Sequence, residues 1–275
     1  MTHALVTGSS GFIGHQLVNS LTSIDLSVSE INEEYFSTFD WKVALVNELN
    51  RFNPKTVFHV GACSDTLMQD VQFMMTRNYE STKVITDWCV QKNRKLIYSS
   101  SAANYGEDGK YPSNLYGWSK YTSEDYVVKS GGIALRYFNV YGPGEEHKGK
   151  MASFLFQAYL KQKNGERIFL FPGKPLRDFI YIKDVISANI HASDMYESLS
   201  GKYYEVSTGV ASSFEEMLDV FGLEYAYSSE SLIPNGYQFL TRGDLSKWMK
   251  GWSPNFTLQH GVTDYKEFLQ QSRSL

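Results

Sequence analysis

Five short apolar runs mark the first half of the chain. They are Ala4-Leu5-Val6-Thr7, residues 26–31, Lys55-Thr56-Val57-Phe58-His59-Val60, Lys95-Leu96-Ile97-Tyr98-Ser99 and Gly132-Ile133-Ala134-Leu135-Arg136-Tyr137. Runs of this length bounded by turn residues read as buried strands. Between them, residues 15–21, 74–89 and the segment around Tyr116 carry helical spacing. Strands alternating with helices in this way predict an α/β fold, a doubly wound parallel sheet covered on both faces. Beyond residue 140 the alternation breaks down, and glycine, proline and lysine become frequent. The pattern therefore predicts a main domain of residues 1–140 plus about 178–202. A small interleaved C-terminal lobe takes about 141–177 plus 203–275. The run from Arg177 to Val185 returns the chain to the main domain, with a helix through His191.

Composition narrows the class of protein. Hydrophobic residues make up 42% and charged residues 20% of 275, the balance of a globular chain with a sizeable core. A net charge of −4 supplies no attraction to nucleic acid or to an anionic membrane surface. No apolar run approaches the roughly 20 residues of a membrane span. Cys63 and Cys89 make no disulfide framework, the six histidines lack metal-ligand spacing, and no metal site is expected. A cytoplasmic location follows as the expectation.

Chemistry enters at the first turn. Ala4-Leu5-Val6-Thr7 feeds Gly8-Ser9-Ser10-Gly11-Phe12-Ile13-Gly14, and a helical segment follows at once. A glycine-rich turn between a strand and a helix is the setting for dinucleotide binding. Gly8 permits the tight turn, Gly11 admits the pyrophosphate, and Gly14 lets helix and strand approach. The phosphates would lie at the helix amino terminus, where backbone N–H groups point outward. An acid near the end of the second strand would bond the adenosine ribose hydroxyls; Glu30 is the candidate and Glu33 the alternative. No lysine or arginine stands between Gly14 and Lys42 to meet a 2′-phosphate, which favours NAD over NADP. Asp40 either faces adenine or caps the helix that begins there. Gly61, Ala62, Cys63 and Ser64 are small residues at a strand's end that leave the cofactor room.

Tyr116 and Lys120 are four residues apart, so on a helix they share one face. A phenol, with its free pKa of about 10, is a weak base at neutral pH. An ammonium close by stabilises the phenolate, and Ser101 can bond the same substrate oxygen. The trio suits proton transfer coupled to hydride transfer.

With these pieces placed, the chain resembles the extended short-chain dehydrogenases/reductases (Rossmann-like folds) of the nucleotide-sugar epimerase group. The marks are the glycine turn, Ser101, Tyr116, Lys120 and Arg177-Asp178-Phe179-Ile180-Tyr181. Finer marks are similar to the ADP-L-glycero-D-manno-heptose 6-epimerases. They include Phe58-His59-Val60-Gly61-Ala62-Cys63-Ser64, Met74-Met75, Tyr137-Phe138-Asn139-Val140-Tyr141-Gly142-Pro143 and His147-Lys148-Gly149-Lys150-Met151. The resemblance implies oxidation of C6 of a nucleotide-linked heptose to a ketone, followed by reduction on the other face. It implies Tyr116 and Lys148 as opposed acid/base groups, with Lys120 binding the nicotinamide ribose and Ser101 holding the reacting oxygen. By the same likeness Asn139, Lys150, Gln157, Phe171, Gly173, Arg177 and Tyr237 face substrate. Phe12, Ile13, Ala62, Asn78 and Val140 line the cofactor site. Relatives of this kind form homo-oligomers.

The chain departs from that branch in a shorter loop between Gly106 and Leu115. Lys150 stands in place of a serine, and Gln157 in place of a histidine. The residues after Ser101 are Ala102, Ala103 and Asn104, which lack the Asp-Glu pair of sugar 4,6-dehydratases. A nucleotide-sugar 4-epimerase or 4-reductase with the same trio remains the alternative. A non-catalytic NAD(P)-binding regulator would be expected to lose Tyr116 or Lys120, and both are present.

Overall fold

The computed structural model describes residues 3–24, 26–107, 109–233 and 238–271. The five apolar runs form β1 (His3–Thr7), β2 (Ser27–Ile31), β3 (Thr56–His59), β4 (Lys95–Ser101) and β5 (Ile133–Tyr137). Between them lie α1 (Phe12–Ser23), α2 (Trp41–Phe52), α3 (Val71–Met75), α4 (Ser81–Lys92) and α5 (Leu115–Lys129). A single π turn, Thr76–Glu80, joins α3 to α4. The rest comprises β6 (Asn139–Tyr141), α6 (Phe154–Lys163), β7 (Ile168–Leu170), β8 (Leu176–Tyr181), α7 (Ile182–Asp194) and α8 (Tyr196–Leu199). After these come β9 (Lys202–Val206), β10 (Ala211–Ser213), α9 (Phe214–Phe221), β11 (Tyr225–Tyr227) and α10 (Leu258–Gln271). Two compact units result, residues 1–136 with 186–204, and 137–185 with 205–275.

The first unit is built on a six-stranded sheet of order β2-β1-β3-β4-β5-β9. Pairs β1–β2, β1–β3 and β3–β4 are parallel. Central strands are buried at every position, as in β3 and β5, whereas the edge strand β2 keeps only Ile31 buried. Leu45, Leu49, Ile85 and Trp88 pack on Leu5, Val57, Leu96 and Tyr98 as one core. Helices α2 and α4 each stop at an asparagine in the left-handed region, Asn53 and Asn93, which ends the helix within one residue. The strand order reverses between β1 and β3. Such switch points, at the carboxyl ends of the strands, are where open α/β sheets place their ligands.

The second unit has shorter elements and is held by buried acids. β8 pairs in parallel with β6 and antiparallel with β10, and β7 pairs with β11. Asp178, fully buried on β8, accepts from the N–H groups of Thr208 (2.8 Å), Gly209 (2.8 Å) and Gly243 (3.0 Å), and from the Thr208 hydroxyl (2.8 Å). Asp184 accepts from the N–H groups of Asn255 (2.8 Å) and Phe256 (3.0 Å). These bonds tie irregular segments to β8 and α7 where no ladder can. Helix α9 starts with a capping box between Ser213 and Glu216. Asp178→Ala should strand three backbone donors and cost at least about 3 kcal/mol of stability, read from urea unfolding.

Candidate active site

In the first unit, backbone meets backbone at the switch point. Gly8 has φ of 65°, and a Cβ on it would lie 2.5 Å from the Cα of Gly61. A Cβ on Gly14 would lie 2.1 Å from the carbonyl oxygen of Gly8. Both positions therefore demand glycine. Gly11 is the N-cap of α1 in extended conformation, and no side chain caps the helix. The start of α1 thus carries no side-chain cap, and a helix amino terminus of this kind is suited to phosphate. This cradle fits the pyrophosphate of a dinucleotide. Phe12 is buried and Ile13 half-buried on α1's first turn.

Behind the crossing lies a short relay. The Gly61 N–H donates to the Thr7 hydroxyl (3.0 Å), which lies 2.7 Å from Nδ1 of His59. On its other side His59 Nε2 lies 2.9 Å from the hydroxyl of Thr82, whose proton goes to the Asn78 carbonyl. Nε2 must then carry the ring proton and Nδ1 must accept from Thr7. Burial, with the Lys120 charge second, pushes His59 down to about 3.

At the rim of the crevice the side chain that reaches the glycine turn is Asn32. Its Oδ1 accepts from the Ser9 hydroxyl (3.1 Å) and the Ser10 N–H (3.0 Å). Glu30 is exposed on β2 and lines a cleft with Asn32, Glu34 and Tyr35. Glu33 is paired with Arg77 at 2.8 Å. Asp40 caps α2 through the Val43 N–H, at 3.5 Å. Asn32 carried no sequence signal, because an asparagine after a strand is usual in any turn. Gly61, Ala62 and Cys63 are half-buried after β3, and Ser64 is exposed. Asn78, in the π turn, pins this segment by accepting from the Cys63 N–H (2.7 Å) and donating to the Cys63 carbonyl (3.0 Å).

Ser101, Tyr116 and Lys120 come together on β4 and α5. The Ser101 hydroxyl hydrogen-bonds the Tyr116 phenol, which burial pushes above the usual tyrosine range while Ser101 pulls it down. Lys120 is 4% exposed and donates to the Ser99 carbonyl at 2.8 Å. Burial lowers it to about 7. Asn114 caps α5 by accepting from the Gly117 N–H (2.8 Å), which seats Tyr116 in the first turn. A Cβ on Gly117 would lie 2.7 Å from the Ala103 carbonyl, so the helix start packs directly on the segment after Ser101.

In the second unit Lys148 lies in a 3-10 segment, Glu146–Met151, broken at Gly149 (φ 53°). Lys148 is half-buried and lowered by burial, with the Glu145 carboxylate opposing that shift. Glu145 is fully buried and accepts from the Ser153 hydroxyl (2.6 Å) and from the Ser153 N–H. Gln157 spends its amide on the carbonyls of Lys150 (3.2 Å) and Ala152 (2.7 Å), bracing the same loop. Lys150 is exposed. Asn139 donates to the Asp178 carbonyl at 3.1 Å, with Val140 half-buried beside it. Phe171 and Arg177 are half-buried, and the Arg177 guanidinium lies 5.7 Å from the Phe214 ring. Gly173 has φ of 90°, and a Cβ there would lie 3.1 Å from the Phe239 ring. Tyr237 lies outside the described residues. A separate apolar cavity of about 580 Å³, lined by Val210, Val220, Trp248, Pro254 and Phe256, contains none of these site residues. Among the described residues no cluster of His, Cys, Asp or Glu could hold a metal ion, and no helix is long and apolar enough to cross a membrane.

The chemistry open to the first unit is narrow. A crevice shaped for a dinucleotide's phosphates shares its unit with a phenol, a hydroxyl bonded to it and a lysine kept from water. That is the working arrangement of a short-chain dehydrogenase/reductase. Residues 4–207 match the NAD dependent epimerase/dehydratase family, and the chain belongs to it. It is 34% identical, over 98% of its own length and 98% of the other's, to the ADP-L-glycero-D-manno-heptose-6-epimerase of Brachyspira hyodysenteriae. The crystal structure of the Helicobacter pylori ADP-L-glycero-D-manno-heptose-6-epimerase superposes with a TM-score of 0.85 at 25% identity, covering 98% of this chain and 96% of that one. A UDP-glucose 4-epimerase from Thermotoga maritima shares the fold, with a TM-score of 0.86 at 22% identity over 99% and 100% of the two chains.

The His59 relay has a consequence for acid stability. A folded pKa of about 3 against an ordinary 6.5 means that this group's contribution is complete above 6.5 and is lost as pH falls toward 3. The slope is at most about 1.4 kcal/mol per pH unit. His59→Gln should flatten that limb relative to wild type in urea unfolding across the window; parallel curves would refute it.

Proposed function

We propose that this protein is a nucleotide-sugar epimerase that inverts C6 of an ADP-linked heptose through a transient 6-keto sugar. The full-length likeness to a heptose 6-epimerase supports the sugar and the position. The observation that carries the reading is that the chain holds two separate groups fitted to move a proton. Hydride leaves C6 from one face and returns to the other. The C6 oxygen therefore gives up its proton in one orientation and regains it in the opposite one, a task suited to two groups, whereas a one-way reductase requires only one. Tyr116 is the first, bonded to Ser101 and kept uncharged at neutral pH by burial. Lys148 is the second, half-buried and lowered below the usual lysine range by that burial. A nicotinamide dinucleotide, held by Gly8, Gly11, Gly14 and the segment 61–64, would supply reversible hydride acceptance. Ser101 orients the reacting oxygen, and Lys120 binds the nicotinamide ribose and favours the phenolate of Tyr116. Arg177, a planar guanidinium fork, is suited to the diphosphate.

The test is incubation of purified protein with ADP-heptose and other nucleotide sugars, with inversion followed by NMR. Inversion at C6 is expected; inversion only at C4 would transfer the assignment to a 4-epimerase. Tyr116→Phe and Lys148→Ala should each lower turnover by at least about a hundredfold while cofactor affinity stays near wild type. Full activity in either variant removes that residue's role.

Cofactor choice follows from the rim of the crevice. The neutral amide of Asn32 occupies the place nearest the turn, and Glu30 stands exposed on the same strand's end. NAD should bind more tightly than NADP through Glu30, and Glu30→Gln should narrow the gap in a fluorescence titration with the reduced cofactors. An unchanged ratio assigns the discrimination elsewhere.

A further inference from the structure

Helix α5 carries a third ionisable residue on the face of Tyr116 and Lys120. Glu124 lies four residues beyond Lys120, one further turn along the same stripe. It is 3% exposed, and its carboxylate is crowded with donors. Oε2 accepts from the Ser100 hydroxyl (2.6 Å), the Asn104 amide (3.0 Å) and Nε of Arg136 (2.8 Å). Oε1 accepts from Nη2 of Arg136. Arg136, on β5, is itself 6% exposed, and its guanidinium lies 3.7 Å from the Tyr203 ring and 4.7 Å from that of Tyr105.

The donors to Glu124 define what it holds. Ser100 directly precedes Ser101, and Asn104 sits in the 3-10 turn Ala102–Tyr105 that directly follows it. Asn104 also donates to the Ser100 hydroxyl at 3.1 Å, and the Ala103 N–H donates to the Ser101 hydroxyl at 3.1 Å. One carboxylate thus grips the residue before Ser101 and the turn after it. A buried ion pair seldom adds net stability over well-packed apolar side chains, so its presence calls for a role in placement.

We propose that Glu124, locked by Arg136, is a positioning residue that sets the Ser101 hydroxyl against the Tyr116 phenol. It touches neither substrate nor cofactor and acts through Ser101. The proposal rests on the reading of Ser101 and Tyr116 above, and is independent of which sugar is turned over.

The test needs no substrate. In full-length protein with tyrosine 13C-labelled at Cζ, the Tyr116 signal is assigned by its absence in Tyr116→Phe and titrated with pH. Ser101→Ala removes a bond that favours the phenolate, so the titration midpoint should rise. Glu124→Gln should also raise it, by about half a pH unit, the value of one weakened hydrogen bond. The double variant Ser101→Ala/Glu124→Gln should match Ser101→Ala alone. Loss of a negative charge by itself would move the midpoint down, so a fall in Glu124→Gln overturns the proposal. An unchanged midpoint, or additive shifts in the double variant, overturns it as well. Ser100→Ala, which leaves the ion pair whole, gives the second arm should Glu124→Gln fail to fold: a smaller rise is expected, and no rise refutes the grip. Absence of epimerase activity in wild type, with these titrations as expected, would sink the functional reading and leave the positioning role standing.

Discussion

The buried ammonium of Lys120 donates to the carbonyl of Ser99, and that bond fastens the helix of Tyr116 to the strand of Ser101. A charge withdrawn from water is costly unless its hydrogen bonds are met. The protein meets the cost in two ways: a carbonyl at the end of a central strand, and a shift of the lysine to about 7 that makes the neutral form accessible. Because the bond joins α5 to the carboxyl end of β4, it brings Tyr116 and Ser101 together as a by-product of satisfying Lys120. Glu124 repeats the device one turn later, so a single helix face is fastened to a single strand end by two opposite charges.

The two units solve the placement of loops differently. In the first, long regular elements carry the site and leave only short connections to arrange. In the second, strands of three residues cannot fix much. Buried acids take over: Asp178 collects the segments at 208–209 and 243, Asp184 collects 255–256, and Glu145 with Gln157 holds the loop of Lys148. Each carboxylate is met by backbone N–H donors without any need for a cation, the arrangement that lets an acid be buried at tolerable cost. Desolvation still raises Asp178, Asp184 and Glu145 above the usual carboxylate range, and their hydrogen bonds limit the rise.

Membership of the epimerase/dehydratase family rests on both units, since the match runs from residue 4 to residue 207. The glycine turn and the side chains of Ser101, Tyr116 and Lys120 all lie in the first unit. The residues that the resemblance placed against substrate lie mostly in loops of the second unit. There Lys150 is exposed and the Gln157 amide is turned back onto its own loop. Gln157 thereby braces the loop that carries Lys148.

Several features of this chain were readable from one dimension. The spacing of apolar residues encoded alternating strands and helices, because which face is buried is a local property of the period. The glycines at 8 and 14 announced a close backbone approach, because a Cβ at either would strike the neighbouring backbone. Tyr116 and Lys120 announced a shared face by their separation. The rest was decided in three dimensions. Asn32 bonds Ser10 from 22 residues away, Gly243 reaches Asp178 across 65, and Glu124 closes on Ser100 across 24. No period or spacing records such pairings, since a hydrogen bond depends on which distant segments the packed core brings within about 3 Å of each other.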